Sequence, residues 1–354
     1  MIGILFHGPE VFDSGWAQRI VEAFAPMAPL CCALAGTMGR TAAMDSGLPD
    51  IRCPGTQPSR ILREMQNEVD LAIFAIHAKS ASSGLRHGAM VAARADIGIP
   101  LVQIECSAGL FVELNPGIHP EVMEVLQRRL GLRKHDRIKN TDSVWEDNGR
   151  ICRRLTTSDA GDFVLADGIV IGRATGKEIV IECAEGRITG ASGMEIKAHG
   201  LEKLEQRGGV ELQSVKLATT RSLRRLQHAP RITKRAGKGM AFVDHAAERI
   251  YESVRGMEGA VTIGDDTTAI VGDILYRFEM PVIGITDGDQ DVLLENTRIT
   301  PGSVVFTVRQ DDLAGRAVFS GIFQNRLFID ETFDAVRERI ETLVQDELVR
   351  RQEF

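Results

Sequence analysis

The sequence has few aromatic residues and no paired-cysteine motif. Only 2 Trp and 2 Tyr occur among 354 residues, which disfavours the stacking platforms that bind single-stranded nucleic acids. The 6 cysteines form no CxxC pair, and several lie in apolar, strand-like runs. Buried free thiols are therefore favoured over a metal or redox centre.

Long apolar runs and an excess of positive charge are also absent. Every apolar run is broken by Gly, Pro or a charged residue well before the roughly 20 residues that span a bilayer. A net charge of −7 argues against a general nucleic-acid-binding surface. The first residues, MIGILFHGPE, have no basic segment or small-residue cleavage site and predict a β-strand instead of a signal peptide. We expect a cytoplasmic protein without membrane contact.

What is present is an alternation of apolar runs with amphipathic segments. It extends over residues 1–133 and again over residues 241–354, and alternating strands and helices predict doubly wound parallel sheets. The predicted fold class is α/β, with two doubly wound, Rossmann-like units and a small β-rich section between them. The last amphipathic segment, FDAVRERIETLVQDELVRR, predicts a helix at the end of the chain.

The segments between the two α/β units differ in composition. Residues 134–160 are polar and predict a linker or an insertion. Residues 161–220 contain short β-branched runs separated by glycine-containing turns, which predict the hairpins of the β-rich section. Residues 221–240 are rich in Arg and Lys and predict a basic linker.

Acidic residues follow three β-branched runs between residues 260 and 315. Parallel strands would bring these acidic ends to one edge of a sheet, where open α/β sheets bind ligands. In GDDTT and TDGD, we expect Asp265, Asp266, Asp287 and Asp289 to bind Mg²⁺ or Mn²⁺, with Asp265 and Asp287 as catalytic residues. The third pair, Asp311-Asp312, is typical of a helix cap and is left out of the predicted site.

The GDDTT segment also predicts a binding site for an anion. Gly264, Thr267 and Thr268 are the predicted ligand-binding residues, and Thr267 or Thr268 is expected to cap the following helix, whose free N–H groups favour an anion. The alternative is that Asp and Gly are simply good turn formers.

A second candidate site lies in the loops of the N-terminal α/β unit. Anion-binding groups in these loops are Gly36, Gly39, Arg40, His7, His77 and Lys79. The alternatives are an ordinary turn with a surface arginine, and histidines whose hydrogen bonds are satisfied at strand ends.

Five segments of the chain, taken together, resemble a known family. They are HGPEVFDSGWA, AGTMGRTAA, ADGIVIG, IKAHGLEKL and GDDTTAIVGDIL. The family is an uncharacterised archaeal one, best represented in methanogens and catalogued as a domain of unknown function, and the resemblance covers most of the chain. It implies an archaeal cytosol and a role in methanogen metabolism, but no reaction and no catalytic residue.

Three functional hypotheses follow. The leading one is a divalent-metal-dependent enzyme that acts on a phosphorylated or nucleotide ligand at the acidic strand ends. The second is a non-catalytic binding or assembly factor that docks a protein partner on the acidic edge and on the basic run 221–238. The third is an enzyme that binds an anion through His7, Arg40 and His77. A homodimer is expected only because dimers are frequent among soluble proteins.

Overall fold

The protein is a mixed α/β chain that divides into two compact units, Met1–His228 and Ala229–Phe354. The computed structural model describes residues 1–139, 143–156, 158–220, 224, 229–244, 247–288 and 298–354. In each unit one sheet contains parallel strands. None of the helices in these ranges has both the length and the apolar character that crossing a membrane requires.

The first unit is built on a seven-stranded sheet. Its strands are β1 (Ile2–His7), β2 (Leu30–Ala35), β3 (Ile51–Arg52), β4 (Leu71–Ile76), β5 (Leu101–Glu105), β6 (Leu110–Asn115) and β7 (Arg133–Lys134). They lie in the order β3-β2-β1-β4-β5-β6-β7. Strands β1 to β5 are parallel, and β6 runs antiparallel to β5. The strand order reverses between β1 and β4, since β2 and β3 lie on one side of β1 and β4 to β7 lie on the other.

Helices cover both faces of this sheet. They are α1 (Glu10–Asp13), α2 (Trp16–Phe24), α3 (Thr37–Ser46), α4 (Pro58–Met65), α5 (Ala81–Ala95) and α6 (Pro120–Glu124), which continues as a π-helical turn over Val125–Arg129. Alternate residues of β1 belong to different cores, because successive side chains of a strand point to opposite faces. Phe6 packs with Phe24 of α2, and Leu5 packs with Leu62 of α4.

The same unit contains a β-rich section. Its elements are β8 (Ser143–Asp147), β9 (Arg150–Leu155), β10 (Phe163–Ala166), β11 (Ile169–Ala174), β12 (Ile179–Ala184), β13 (Arg187–Ser192), β14 (Met194–Ile196), α7 (Ala198–Gln206) and β15 (Leu217–Thr220). They form two antiparallel sheets, β14-β11-β10-β15 and β13-β12-β9-β8, which share one hydrophobic core. The hairpin β8–β9 lies inside the polar segment 134–160.

The second unit is built on a six-stranded sheet in the order β20-β16-β17-β18-β19-β21. Its elements are β16 (Met240–Asp244), a 3₁₀ turn (Ala247–Arg249), α8 (Ile250–Ser253), β17 (Gly259–Ile263), α9 (Asp265–Tyr276), β18 (Val282–Thr286), β19 (Val304–Val308), α10 (Asp311–Gly321), β20 (Phe328–Ile329), α11 (Phe333–Val344) and β21 (Leu348–Glu353). Strands β16 to β19 are parallel, and the two edge strands are antiparallel to their neighbours.

Helices lie on both faces of this sheet as well. On one face α9 lies close to β18, since a Cβ atom on Gly284 would be 2.6 Å from Cγ2 of Thr268. On the other face Val318 of α10 and Ile340 of α11 share a hydrophobic core with Ile283. Because β16 to β19 are parallel, their carboxyl ends lie together along one edge of the sheet.

The predicted C-terminal helix is wrong in its second half. The helix α11 ends at Val344, and Leu348–Glu353 form β21, which pairs with β19. The amphipathic pattern describes only local propensity. Pairing with β19 supplies backbone hydrogen bonds from a distant segment, and such tertiary contacts routinely override local preference.

Candidate functional site

Three aspartates meet at the carboxyl edge of the second sheet. Asp265, Asp287 and Asp311 follow the adjacent parallel strands β17, β18 and β19, and one carboxylate oxygen from each lies within 4.8 Å of the others. Asp311 is 1% exposed, while Asp265 and Asp287 are partly buried. The topology thus converts three separate strand ends into one acidic cluster.

The turn at Gly264 sets the position of Asp265. Gly264 has φ of 98°, a conformation that L side chains rarely adopt, and it is the N-cap of α9. The chain therefore turns directly from β17 into α9, which begins at Asp265. The Asp265 Oδ2 atom accepts hydrogen bonds from the backbone N–H groups of Asp287 (3.1 Å) and Gly288 (3.0 Å). One loop of the cluster is thus hydrogen-bonded to the next.

The structure adds Asp311 to the residues predicted from sequence. Its helix α10 does begin at Asp311, as the acidic pair indicated, but the side chain is buried beside Asp265 and Asp287. Among the described residues the cluster does not include Asp266, which lies in the first turn of α9. Asp289 is outside the described residues. The signal that identifies Asp311 is its place after the third parallel strand.

The prediction that Thr267 or Thr268 caps the helix is wrong. Both residues lie inside α9, because Gly264 permits the helix to start before them. Thr267 is 7% and Thr268 is 4% exposed. The Thr268 hydroxyl shares a buried hydrogen bond of 2.8 Å with the hydroxyl of Thr262 on β17. The Thr268 side chain therefore fixes α9 to the sheet.

The cluster is electrostatically suited to a cation. Two ionised carboxylates 4.8 Å apart repel each other by about 3 kcal/mol at an effective dielectric constant of about 20. A divalent cation among the oxygens replaces this repulsion with attraction. Carboxylate oxygens are the ligands that Mg²⁺ and Mn²⁺ prefer.

The predicted N-terminal residues are only partly brought together. A Cβ atom on Gly39 would lie 3.2 Å from the Gly8 carbonyl oxygen, so the loops after β1 and β2 are in contact. Gly36 is the N-cap of α3 with φ of 100°, and Arg40 lies in the first turn of that helix. His77 directly follows β4.

Lys79, which follows β4, is paired with a carboxylate of the same chain. Its ammonium group forms an ion pair with Asp162, whose side chain is 4% exposed. The neighbouring Ser80 caps α5 and donates to both carboxylate oxygens of Asp159 at 3.0 Å. The β-rich section therefore supplies the carboxylates at this loop.

His7 lies against His87 of α5. The rings of His7 and His87 stack with centroids 4.6 Å apart, and Phe74 lies beside both. Burial lowers the pKa of His7 to about 4. Burial, followed by the charges of His7 and Arg94, lowers the pKa of His87 well below its usual value. Both rings are therefore neutral at pH 7.

Arg224, in the segment predicted as a basic linker, is buried instead of solvated. Its guanidinium donates to both carboxylate oxygens of Asp13 (2.6 and 2.8 Å) and to Asp45 (2.7 Å), and all three side chains are at most 5% exposed. Burial by itself would lower the pKa of Arg224, but these hydrogen bonds raise it above its usual value. This residue is therefore unavailable to an external protein partner.

The comparison with known families is consistent with the resemblance seen in the sequence. Residues 4–326 match the model of a family described as an uncharacterized protein conserved in archaea (DUF2117). The chain belongs to this archaeal family. An uncharacterized protein of Methanocaldococcus jannaschii is 35% identical to it in an alignment that covers 95% of this chain and 96% of the relative. No solved structure matches the chain. The region matched by the DUF2117 family includes all three clustered aspartates.

Proposed function

We propose that this DUF2117 protein is a divalent-metal-dependent enzyme that acts on a phosphorylated or nucleotide ligand at the carboxyl edge of its second sheet. The metal ion is Mg²⁺ or Mn²⁺, and its ligands are Asp265, Asp287 and Asp311. The observation that carries the proposal is the convergence of three carboxylate oxygens within 4.8 Å, from three adjacent parallel strands.

The spacing of the oxygens fits the proposed ion. In an octahedral Mg²⁺ site with bonds of about 2.1 Å, ligand oxygens lie about 3 Å apart in cis and about 4 Å apart in trans. The three carboxylate oxygens lie within 4.8 Å of one another, and ion binding would draw them to these separations. Mg²⁺ commonly keeps some water and binds phosphate oxygens in its remaining positions, and three protein ligands leave room for both.

The surrounding backbone suggests how the ligand binds. The α9 helix begins at Asp265, so its N-terminal N–H groups lie beside the cluster and favour the negative charge of a phosphate. In this arrangement Asp265 and Asp287 would hold the ion next to the phosphate and, together with the ion, would activate a water molecule. Asp311 supplies a third, buried carboxylate.

We also propose that both parallel sheets are doubly wound, Rossmann-like units. The order β3-β2-β1-β4-β5 in the first unit and the helices on both faces of each sheet support this assignment. The acidic cluster then lies where sheets of this kind bind ligands, outside the carboxyl ends of the strands.

Titration of metal-free protein with Mn²⁺, followed by electron paramagnetic resonance of the free ion, tests the proposal. Asp311→Asn removes one charged ligand, and we expect it to weaken Mn²⁺ binding about tenfold or more. Asp312→Asn is the matched control, because it makes the same change one residue further along α10, outside the cluster. Equal affinities of the wild type and Asp311→Asn would refute the metal site.

A panel of nucleotides and sugar phosphates, assayed with Mg²⁺ or Mn²⁺, tests the reaction separately. Release of phosphate or a change in the nucleotide that is lost in Asp287→Asn supports the enzyme. Metal binding without turnover of any member of the panel favours the alternative, a non-catalytic binding or assembly factor in methanogen metabolism.

A further inference from the structure

The two parallel-containing sheets have unequal edges. Three of their four edge strands, β3, β7 and β20, are two residues long, whereas β21 has six residues. Short edge strands are a common protection against pairing with other chains, since an edge strand exposes a row of unpaired backbone groups. In the described part of the chain no strand pairs with the outer side of β21. Among the residues that the structure describes, β21 is therefore the longer unpaired edge strand of the second sheet.

The backbone of β21 shows which residues point their hydrogen-bonding groups outward. The Phe354 N–H donates to the Ser303 carbonyl (3.1 Å), and the Phe354 carbonyl accepts from the Gly302 N–H (2.8 Å). These groups point toward β19. Because hydrogen-bonding direction alternates along an antiparallel strand, the N–H and C=O groups of Arg351 and Glu353 point away from the sheet.

Two copies of one strand that pair antiparallel about a two-fold axis bring one residue opposite its own copy. If that residue were Arg350, Arg351 or Glu353, like charges would meet on the axis. If it is Gln352, Arg351 of each copy lies opposite Glu353 of the other copy. In this register the residues whose backbone groups point outward lie opposite each other, and their side chains carry opposite charges.

We propose that β21 is a homodimer interface, in which a second copy of this chain extends the sheet antiparallel with Gln352 on the two-fold axis. Side chains already present on the strand are suited to the pairing. Arg351 donates to Glu353 of its own strand at 2.5 Å and to Glu341 of α11 at 2.9 Å, and the side chains of Arg351 and Glu353 are 38% and 67% exposed. The dimer gives each of these two groups a further opposite charge across the axis.

A register with Val349 on the axis is less favourable. It would place Arg351 opposite Glu347, whose carbonyl already accepts a hydrogen bond of 3.2 Å from the Arg309 N–H. That carbonyl points toward β19 and is not available to a second copy. The two registers differ in whether Glu353 takes part, which allows an experiment to separate them.

Sedimentation velocity of the full-length chain over a range of concentrations tests the interface. We expect a reversible dimer for the wild type. Arg351→Glu and Glu353→Arg each place like charges opposite each other in both symmetry-related pairs of the interface. Each substitution is expected to raise the dissociation constant of the dimer about tenfold or more. The double variant Arg351→Glu, Glu353→Arg restores opposite charges across the axis and is expected to restore the dimer. Thermal unfolding of each variant shows that the monomer still folds.

The control is Glu338→Arg, which makes the same charge change at an exposed position of α11 and is expected to leave the dimer unchanged. A wild type that is monomeric at every concentration overturns the proposal. So does a dimer that is indifferent to Glu353→Arg, or one that the double variant fails to restore.

Discussion

Replacing His7 is expected to change how the stability of the first unit depends on pH. The His7 ring is stacked on His87 and buried beside Phe74, and burial lowers its pKa from 6.5 to about 4. The unfolded chain therefore binds a proton more readily than the folded one between these two values. The contribution of neutral His7 to the free energy of unfolding is fully present above pH 6.5 and decreases as the pH falls toward 4. Below pH 4 this contribution does not change further.

The size of this effect follows from the two pKa values. Proton linkage between 6.5 and about 4 costs the folded state about 2 kcal/mol at pH 5 compared with pH 7. The full shift of about 2.5 units corresponds to about 3 kcal/mol below pH 4. The loss at pH 5 is a large fraction of the stability of an ordinary domain.

Urea unfolding followed by tryptophan fluorescence reports on the stability of the structural unit that contains His7. The chain has 2 Trp residues, Trp16 and Trp145, and both lie in Met1–His228. We expect the wild type to lose about 2 kcal/mol more stability than His7→Asn between pH 7 and pH 5. His119→Asn is the control, because the side chain of His119 is 70% exposed and asparagine preserves its helix cap.

The comparison uses the change with pH and not the absolute stability, because His7→Asn also removes ring packing. If the wild type and His7→Asn lose equal stability between pH 7 and pH 5, His7 does not titrate as a buried neutral ring. A wild type that gains stability in this range would contradict the sign of the argument.

Two substitutions test other buried contacts of the first unit by the same unfolding assay. Arg224→Ala leaves the carboxylates of Asp13 and Asp45 buried without their cation, and we expect it to lower the free energy of unfolding by about 3–5 kcal/mol. Gly88→Ala places a Cβ atom 1.9 Å from the Gln103 Oε1 atom, and the resulting overpacking between α5 and β5 is expected to cost about 1–3 kcal/mol.

An exposed ion pair of the same unit is the control for these two substitutions. The side chains of Arg52 and Glu68 are 61% and 48% exposed, so solvent screens the pair and Arg52→Ala is expected to leave the stability almost unchanged. If Arg224→Ala is no more destabilising than Arg52→Ala, the buried ion pair does not stabilise the unit. A Gly88→Ala variant as stable as the wild type would show that α5 moves away without cost.

Much of the architecture and part of the site are readable from local sequence. Apolar runs that alternate with amphipathic segments predicted the mixed α/β fold, because each strand and helix must bury its own apolar face. The acidic ends at Asp265 and Asp287 could be placed together for a simple reason. Consecutive parallel strands point the same way, so residues that follow them meet at one edge.

Other features depend on contacts that no local pattern reveals. Asp311 follows a strand like the other two, but an Asp-Asp pair also starts a helix, and only the burial of its side chain beside Asp265 and Asp287 makes it part of the cluster. The Lys79 ammonium group pairs with the carboxylate of Asp162, which is 83 residues away in the sequence. No local pattern links these two residues. In β21, pairing with β19 replaced a helix that the periodicity favoured.

The sequence by itself determined that this protein consists of β-sheets packed against α-helices. It also determined where two of the three clustered carboxylates would lie. The tertiary structure alone decided which charged groups are already paired inside the chain and which face one another. The physical reason is the separation along the sequence over which each effect acts. Propensity and periodicity act over a few residues, whereas Arg224 meets Asp13 across 211 positions, and such an ion pair exists only after the intervening chain has folded.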